Sequence, residues 1–333
     1  MEVILRVPPS VPLDQVCNFI IEAETAGFFG VAIPDSQLIS RDTYLTLGLA
    51  AQCTSTIHLY AMVSNPVTRH VSVLASAMQT IDELAPGRLH VTLGTGAAAV
   101  AAVGRRPATV KTIAETIGTL KQLLSGEAVN FNESKSRLSY ASDRQIPILV
   151  AGRGPRILEM AGEVADGVVP YVGLHPDNLT YARNLVVTGA ERSGRTENPM
   201  EEVLDVHVGI APTPTEAREL SRPTCAYWAS QPSLANLLRN AGLSVNIGDK
   251  VVTWAEAQQL APSLSDDFVS QASNIIGAYG TPEDLADQLT CAEGRGISRI
   301  YVRPSEGDAL PHKTLRAFQD VVFPALKNQG LNY

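Results

Sequence analysis

The chain has 333 residues, 45 % of them apolar, and a formal charge of −8. That length suits one large α/β domain or two smaller ones, and the apolar share suits a packed core. The acidic balance and the lack of a long basic run point away from nucleic acid, and no apolar run approaches the ~20 residues of a membrane helix.

The N-terminal "MEVILRVPPS" lacks a basic flank and a long apolar core, so no signal peptide is expected. It runs into a strand, "VILRV" (3–7). A helix follows, "LDQVCNFIIEAETAG" (13–27), with Val16, Ile20 and Ala23 on one face and Gly27 as its stop. Strands come next at "FGVAI" (29–33) and "IHLYAMV" (57–63). The second of these ends in "SNPVTRH", more polar than a solvated strand end needs. Then come a helix to Pro86-Gly87 (71–88), a strand "LHVTLG" (89–94) and a helix "TVKTIAETIGTLKQLLSG" (109–126). Residues 127–146 hold "AVNF" and "SRLSY" around "NESK", the pattern of a β-hairpin. Three further strands are "PILVAG" (147–152), "GVVPYV" (167–172) and "VLDVHVGIA" (203–211). Residues 212–280 read as a helical insertion of the kind that covers a site. Thr281 then N-caps a helix (281–296) with Pro282 at its first position, and "RIYVRP" (299–304) is the eighth strand.

Strand-helix alternation implies parallel strands with right-handed crossovers. Eight such strands predict a closed (β/α)8 TIM barrel, a single domain over 1–333 with the insertion at about 212–280. An open doubly wound sheet is the competitor, but no Gly-rich dinucleotide turn follows the first strand.

In such a barrel the site lies at the C-terminal strand ends. Those ends carry Arg6, Pro34-Asp35-Ser36-Gln37, Met62-Val63-Ser64-Asn65, Gly94-Thr95-Gly96 and Ala151-Gly152-Arg153-Gly154-Pro155. Tyr171, His175 and His207 lie near the ends of the sixth and seventh strands. In "AGRGPRILEMAG" (151–162) the glycines let backbone amides approach a ligand, Pro155 opens a helix, and Arg153 adds charge. This is either a phosphate cradle or a plain tight turn. The small residues of "LGTGAAAV" (93–100) either admit a flat ring or pack a short loop.

The six histidines form no metal pattern, and no G-x-S-x-G elbow occurs, so no metal is expected. A phosphosugar isomerase or aldolase would want a Lys or paired acids at the strand ends, and no strand end supplies a Lys. Cys17, Cys53, Cys225 and Cys291 share no ligand spacing and read as reduced thiols of a cytoplasmic chain.

Several long stretches together resemble one family: "GFFGVAIPDS", "TSTIHLYAMVSNPVTRHVSVLASAMQTIDELAPGRLHVTLGTG", "PATVKTIAETIGTLKQLLSGEAVNF", "IPILVAGRGPRILEMAGEVADGVV" and "GTPEDLADQL". They look like the luciferase-like flavin oxidoreductases, most of all the methylenetetrahydromethanopterin reductase branch, which uses the deazaflavin coenzyme F420. The resemblance implies a non-prolyl cis peptide at Met62-Val63 backing the coenzyme's central ring. It implies Ser64 and Asn65 at the ring's polar edge or side chain, Thr95 and Gly96 flanking the ring, and Gly152, Arg153 and Gly154 on the phosphate. Asp35, Ala151 and Pro155 complete the implied cofactor set. Thr68, Arg69 and His70 are read as anchors of the next helix.

The chain departs from the family pattern at three places. Arg6 stands where the pterin reductases carry an acid, Ser36 where many relatives have His, and Ala97 where the sugar-phosphate dehydrogenases have an acid. Arg6, with Tyr171 as a second substrate contact, implies an anionic or electron-poor substrate; the alternative is that Arg6 pairs with Asp35. Ser36, His175 or solvent would move the proton.

The expected activity is hydride transfer between coenzyme F420 and a small organic substrate. The alternatives are an FMN-dependent two-component monooxygenase and a flavin-binding protein without turnover. The resemblance implies a homodimer, which the apolar helices after the second and third strands would permit.

Overall fold

The computed structural model describes residues 1–195, 200–245 and 251–328. Four strand-helix units open it: β1 (Glu2–Arg6), α1 (Leu13–Ala26), β2 (Gly30–Ile33), α2 (Thr43–Cys53), β3 (His58–Ser64), α3 (Val71–Leu84), β4 (Leu89–Leu93), α4 (Ala97–Ala101) and α5 (Val110–Leu124). A hairpin follows where one was expected, as β5 (Val129–Phe131) and β6 (Ser134–Ser136), antiparallel about a turn with Asn132 at φ 54°. Its second strand falls largely in the expected "NESK" turn and reaches "SRLSY" only at Ser136, because the chain reverses at Asn132 and Glu133. Then come β7 (Ile148–Gly152), α6 (Pro155–Val164), β8 (Gly167–Pro170), α7 (Pro176–Arg192), β9 (Glu201–Glu202) and β10 (Leu204–Ile210). The insertion contributes α8 (Pro214–Ser230), α9 (Pro232–Asn240), α10 (Trp254–Leu260) and α11 (Asp266–Ile276); residues 246–250 within it lie outside the described residues. The chain ends with β11 (Gly277–Gly280), α12 (Pro282–Glu293), β12 (Arg299–Pro304), α13 (His312–Ala317) and α14 (Phe323–Asn328).

Every rung of the main sheet is parallel, in the order β11-β10-β12-β1-β2-β3-β4-β7-β8-β9. The chain from Glu201 to Ile210 touches both ends of this run. Glu201 and Glu202 pair with β8, Val203 N donates to Val168 O at 2.9 Å, and Leu204–Val208 pair with β12. This closes the sheet into the expected barrel. The sequence reading did not contain β11. It pairs with His207–Ile210 on the edge of β10 that faces β8, at the C-terminal end of the barrel. Gly277 makes that fit possible, since a Cβ there would lie 2.1 Å from the His207 carbonyl oxygen.

Side-chain alternation sorts the strands. Val3, Leu5, Val31, Ile33, Leu59, Ile300 and Val302 pack outward in the helix-facing core. Ile4, Ala32, Tyr60, Met62, Leu149, Val169, Val203 and Tyr301 form a separate inner cluster that fills the barrel. Below it, polar groups close the N-terminal mouth. His58 Nδ1 lies 2.9 Å from His90 Nε2, Tyr60 donates to Glu201 at 3.2 Å, and Arg299 joins Glu201 to Glu2. The open mouth is therefore the C-terminal one. No helix among the described residues is long and apolar enough to cross a membrane.

Candidate functional site

The rim divides into three groups of residues. The first lies where β2, β3 and β4 end. Asp35 is 3 % exposed and accepts from Ser64 Oγ at 2.7 Å, Thr43 Oγ1 at 3.3 Å and Arg69 Nη1 at 2.6 Å. Arg69 reaches on to Asp42, which caps α2 through the amides of Tyr44 and Leu45. The Tyr44 hydroxyl donates to Ser64, and burial, then the Asp35 charge, hold its pKa above the ordinary tyrosine value.

Beyond Ser64, Asn65 Oδ1 accepts from the amides of Val67 and Thr68, both at 3.0 Å, and fixes a tight turn. Its Nδ2 is buried with no partner among the described residues. His70 caps α3 through Ser72, whereas Arg69 turns to Asp35 and Asp42 and Thr68 to Asn65, so of the three only His70 bonds the next helix among the described residues. The Met62–Val63 peptide is cis, and the β3–β4 register shifts between Ala61 and Ser64. Gly94 and Gly96 sit against this turn. A Cβ at Gly94 would meet Val63 Cγ1 at 2.8 Å, and one at Gly96, where φ is 72°, would meet Asn65 Cβ at 2.6 Å. Gln37 ties the β2 loop to Ala99.

The second group is the β7–α6 turn. Gly154 caps α6 without a side-chain hydrogen bond, and Pro155 occupies the first turn. Among the described residues, its chain neighbours aside, no atom lies within 4 Å of a Cβ built on Gly154, so there is open space at the start of the helix. Arg153 donates to Ser233 at the start of α9 at 2.8 Å, and its guanidinium lies 5.6 Å from the Tyr171 ring centroid. A helix N-terminus beside a guanidinium is suited to an anion.

The third group is a polar wall on β8, β10, β12 and β1. Tyr171 Oη lies 2.9 Å from His207 Nε2 and accepts from Trp228 Nε1 at 2.8 Å. Arg303 pairs with Asp205 and stands 5.2 Å from the Tyr171 ring and 5.6 Å from the Tyr301 ring. Arg6 does not pair with Asp35, which Arg69 already neutralises. It bonds the Gly307 carbonyl and, at 2.8 Å, Asp308. Burial, then the Arg303 and Arg6 charges, push the His207 pKa well below its ordinary value, so the imidazole is neutral. Burial lifts that of Tyr171.

The sequence-predicted residues thus gather on one rim. Ser36 is half-buried, and its carbonyl accepts from the Ile39 and Ser40 amides. His175 sits at the N-cap of α7, accepting from the Asp177 amide at 3.4 Å. The bond of Arg69 to Asp35, and the roles of Asp205, Trp228 and Arg303, were not anticipated. The alternation in "RIYVRP", aliphatic outward and Tyr or Arg inward, carried the signal for Arg303. Trp228 lies in the insertion, and nothing in the sequence ties it to Tyr171. Among the described residues no cluster of metal ligands occurs.

Small residues and an unpartnered amide on one half of the rim, an anion cradle beside them and a donor-rich wall opposite suit a flat ring with an anionic tail and a second, smaller ligand. The chain is 28 % identical over 305 residues to 5,10-methylenetetrahydromethanopterin reductase of Methanolobus tindarius, covering 88 % of this chain and 90 % of that one. It is 30 % identical over 236 residues to F420-dependent glucose-6-phosphate dehydrogenase of Kineococcus radiotolerans, covering 65 % and 68 %. The fold is similar to that of the coenzyme F420-dependent tetrahydromethanopterin reductase of Methanopyrus kandleri, with a TM-score of 0.76 at 22 % identity over 98 % of this chain and 99 % of that one. Residues 5–299 match one family throughout, and on that match the chain belongs to the luciferase-like monooxygenase family.

Proposed function

We propose that the chain is an oxidoreductase that pairs coenzyme F420 with a small anionic or electron-poor organic substrate. The observation that carries this is the uncapped N-terminus of α6 with Arg153, set beside a strand end lined by Gly94, Gly96 and the buried donor Asn65 Nδ2. The F420-dependent relatives favour the deazaflavin over FMN.

The α6 amides and Arg153 hold the phosphate. Val63 and Gly94 leave a flat floor for the ring, Ala151, Thr95 and Gly96 border it, and Asn65 Nδ2 donates to its polar edge. Asp35 and Ser64 fix the β3 end that presents this surface. Pro155 keeps the cradle in helical geometry. When bound, the coenzyme supplies a hydride, so the protein needs no nucleophile of its own. Arg6 and Tyr171 bind the substrate, and the helices from 214 to 276 keep water from it. Ser36, next to Asp35 in the chain and half-buried, and His175 at the start of α7 are the groups proposed to move a proton.

Titration of the purified protein with coenzyme F420 and with FMN, read by fluorescence quenching, tests this. Tight binding of F420 alone is expected. Binding of FMN alone would replace the reading with a two-component monooxygenase, and binding of neither would remove it. We also infer a cytoplasmic homodimer, supported by four free cysteines and by the exposed apolar side chains Leu38, Ile39, Leu45, Leu49 and Val73 around α2 and α3.

A further inference from the structure

Trp228 fixes the tautomer of a histidine that it does not touch. An indole nitrogen only donates, so at 2.8 Å the Tyr171 oxygen accepts from it. The hydroxyl hydrogen of Tyr171 then goes to His207 Nε2, 2.9 Å away. A neutral imidazole that accepts at Nε2 carries its hydrogen on Nδ1. That Nδ1 has no hydrogen-bond partner among the described residues and, unlike Nδ1 of His90, is not enclosed. His207 and Arg303 are register partners on neighbouring strands. Arg303 gives Nε and Nη2 to Asp205 and keeps Nη1. Arg6, on the next strand, adds positive charge. This wall is therefore rich in donors, with His207 Nδ1, Arg303 Nη1 and the Arg6 guanidinium, which also bonds the Tyr301 hydroxyl, while Asp205 pairs with Arg303 and Asp308 with Arg6.

We propose that this wall binds a small carbonyl compound bearing a carboxylate, with the 2-oxo carboxylates as the smallest members. His207 Nδ1–H donates to the carbonyl oxygen, and Arg303 and Arg6 take the carboxylate. The inference rests on the oxidoreductase reading above and names the substrate class of that site. In the reductive direction the carbonyl carbon gains a hydride from the reduced deazaflavin, and the C=O π pair moves onto oxygen. A proton from water then gives the hydroxyl. The substrate gains two electrons and the coenzyme loses two. His207 stays neutral throughout and stabilises the developing oxyanion as a hydrogen-bond donor.

Two measurements test this. In a Trp254→Phe background Trp228 is the remaining tryptophan. Pyruvate and methyl pyruvate are titrated against its emission, with the chain alone and again with coenzyme F420 present. Pyruvate should bind at least tenfold more tightly than the ester, and Arg303→Met should abolish that preference. Equal binding of acid and ester, or binding of neither in both states, overturns the proposal. Nitrogen-15 NMR of the histidines, assigned with His207→Gln, should show His207 neutral and protonated at Nδ1 at pH 7. A proton on Nε2 overturns it too. The NMR readout needs no coenzyme, and pyruvate is titrated without it as well as with it. Failure to bind F420, with the tautomer and the pyruvate preference intact, therefore removes only the cofactor assignment.

Discussion

Ser64 donates to Asp35 across 2.7 Å and so ties the end of β3 to the end of β2. The same carboxylate receives Arg69 at 2.6 Å, and both side chains are largely buried, Asp35 at 1 % exposure and Arg69 at 15 %. Removing one partner of a buried pair leaves the other charge without compensation. Asp35→Ala is expected to cost about 3 kcal/mol in urea unfolding. Ser64→Ala removes one hydrogen bond and should cost about 1 kcal/mol. Equal costs for the two would show that Arg69 finds another partner.

Gly96 is the tightest point of the proposed ring site. Its φ of 72° and the 2.6 Å approach of a Cβ to Asn65 both act against any side chain. Gly96→Ala should move the Asn65 turn, weakening coenzyme F420 binding at least tenfold in the fluorescence titration. Gly104, with a φ of 68° and nothing near its Cβ, is the control. Gly104→Ala carries the same backbone strain without the contact, so similar losses in the two variants would sink the idea that the Asn65 contact matters.

Arg153 has a hydroxyl and a ring as neighbours but no carboxylate partner among the described residues, so its charge is available to a ligand. Arg153→Ala should weaken coenzyme binding about tenfold, in line with the loss of one charge-assisted hydrogen bond. The loss should shrink as salt rises in the wild type, because screening removes the same contribution. An affinity indifferent to both substitution and salt would place the phosphate elsewhere.

Much of this architecture is legible in the chain. The eight strands of the barrel stand out because each is a β-branched run bounded by turn residues, as in "VLDVHVGIA". β11 does not, since Gly277-Ala278-Tyr279-Gly280 has no β-branched residue and is too short to show a period. Its strand character comes from the edge of β10, a tertiary cause. The same division holds in the site. The α6 turn is readable because Gly-Arg-Gly-Pro encodes a helix N-terminus locally. The Trp228–Tyr171–His207 chain joins residues 57 and 36 positions apart, and only the closed barrel brings them together.

The proposed homodimer would bury apolar side chains that are exposed in the single chain. Leu38 is 69 % exposed, Leu45 70 % and Val73 56 %, and they lie on or just before α2 and α3. A double variant, Leu38→Glu with Leu45→Glu, should convert a dimer to a monomer in light scattering while leaving the thermal midpoint of dilute protein within a few degrees. A wild-type chain that runs as a monomer at micromolar concentration would dispose of the dimer.

The N-terminal mouth sets a pH dependence of stability. Burial, then the charges of His90 if protonated and of Arg299, hold His58 down to about 4, with Glu201 opposing and Arg88 adding a smaller push. The unfolded chain titrates a histidine near 6.5. Between roughly 6.5 and 4 the unfolded state therefore binds the proton and the folded state does not, so stability rises with pH across that window and falls as the solution is acidified. His207, also held well below its ordinary value, acts in the same direction. Thermal melts from pH 7 to 4.5 should show a falling midpoint, and His58→Gln should make the fall shallower by removing one titrating group. Gln keeps a hydrogen-bonding group toward His90 Nε2, so the variant should fold. A slope unchanged by His58→Gln would assign the acid sensitivity to His207 and to the carboxylates of the ion pairs instead.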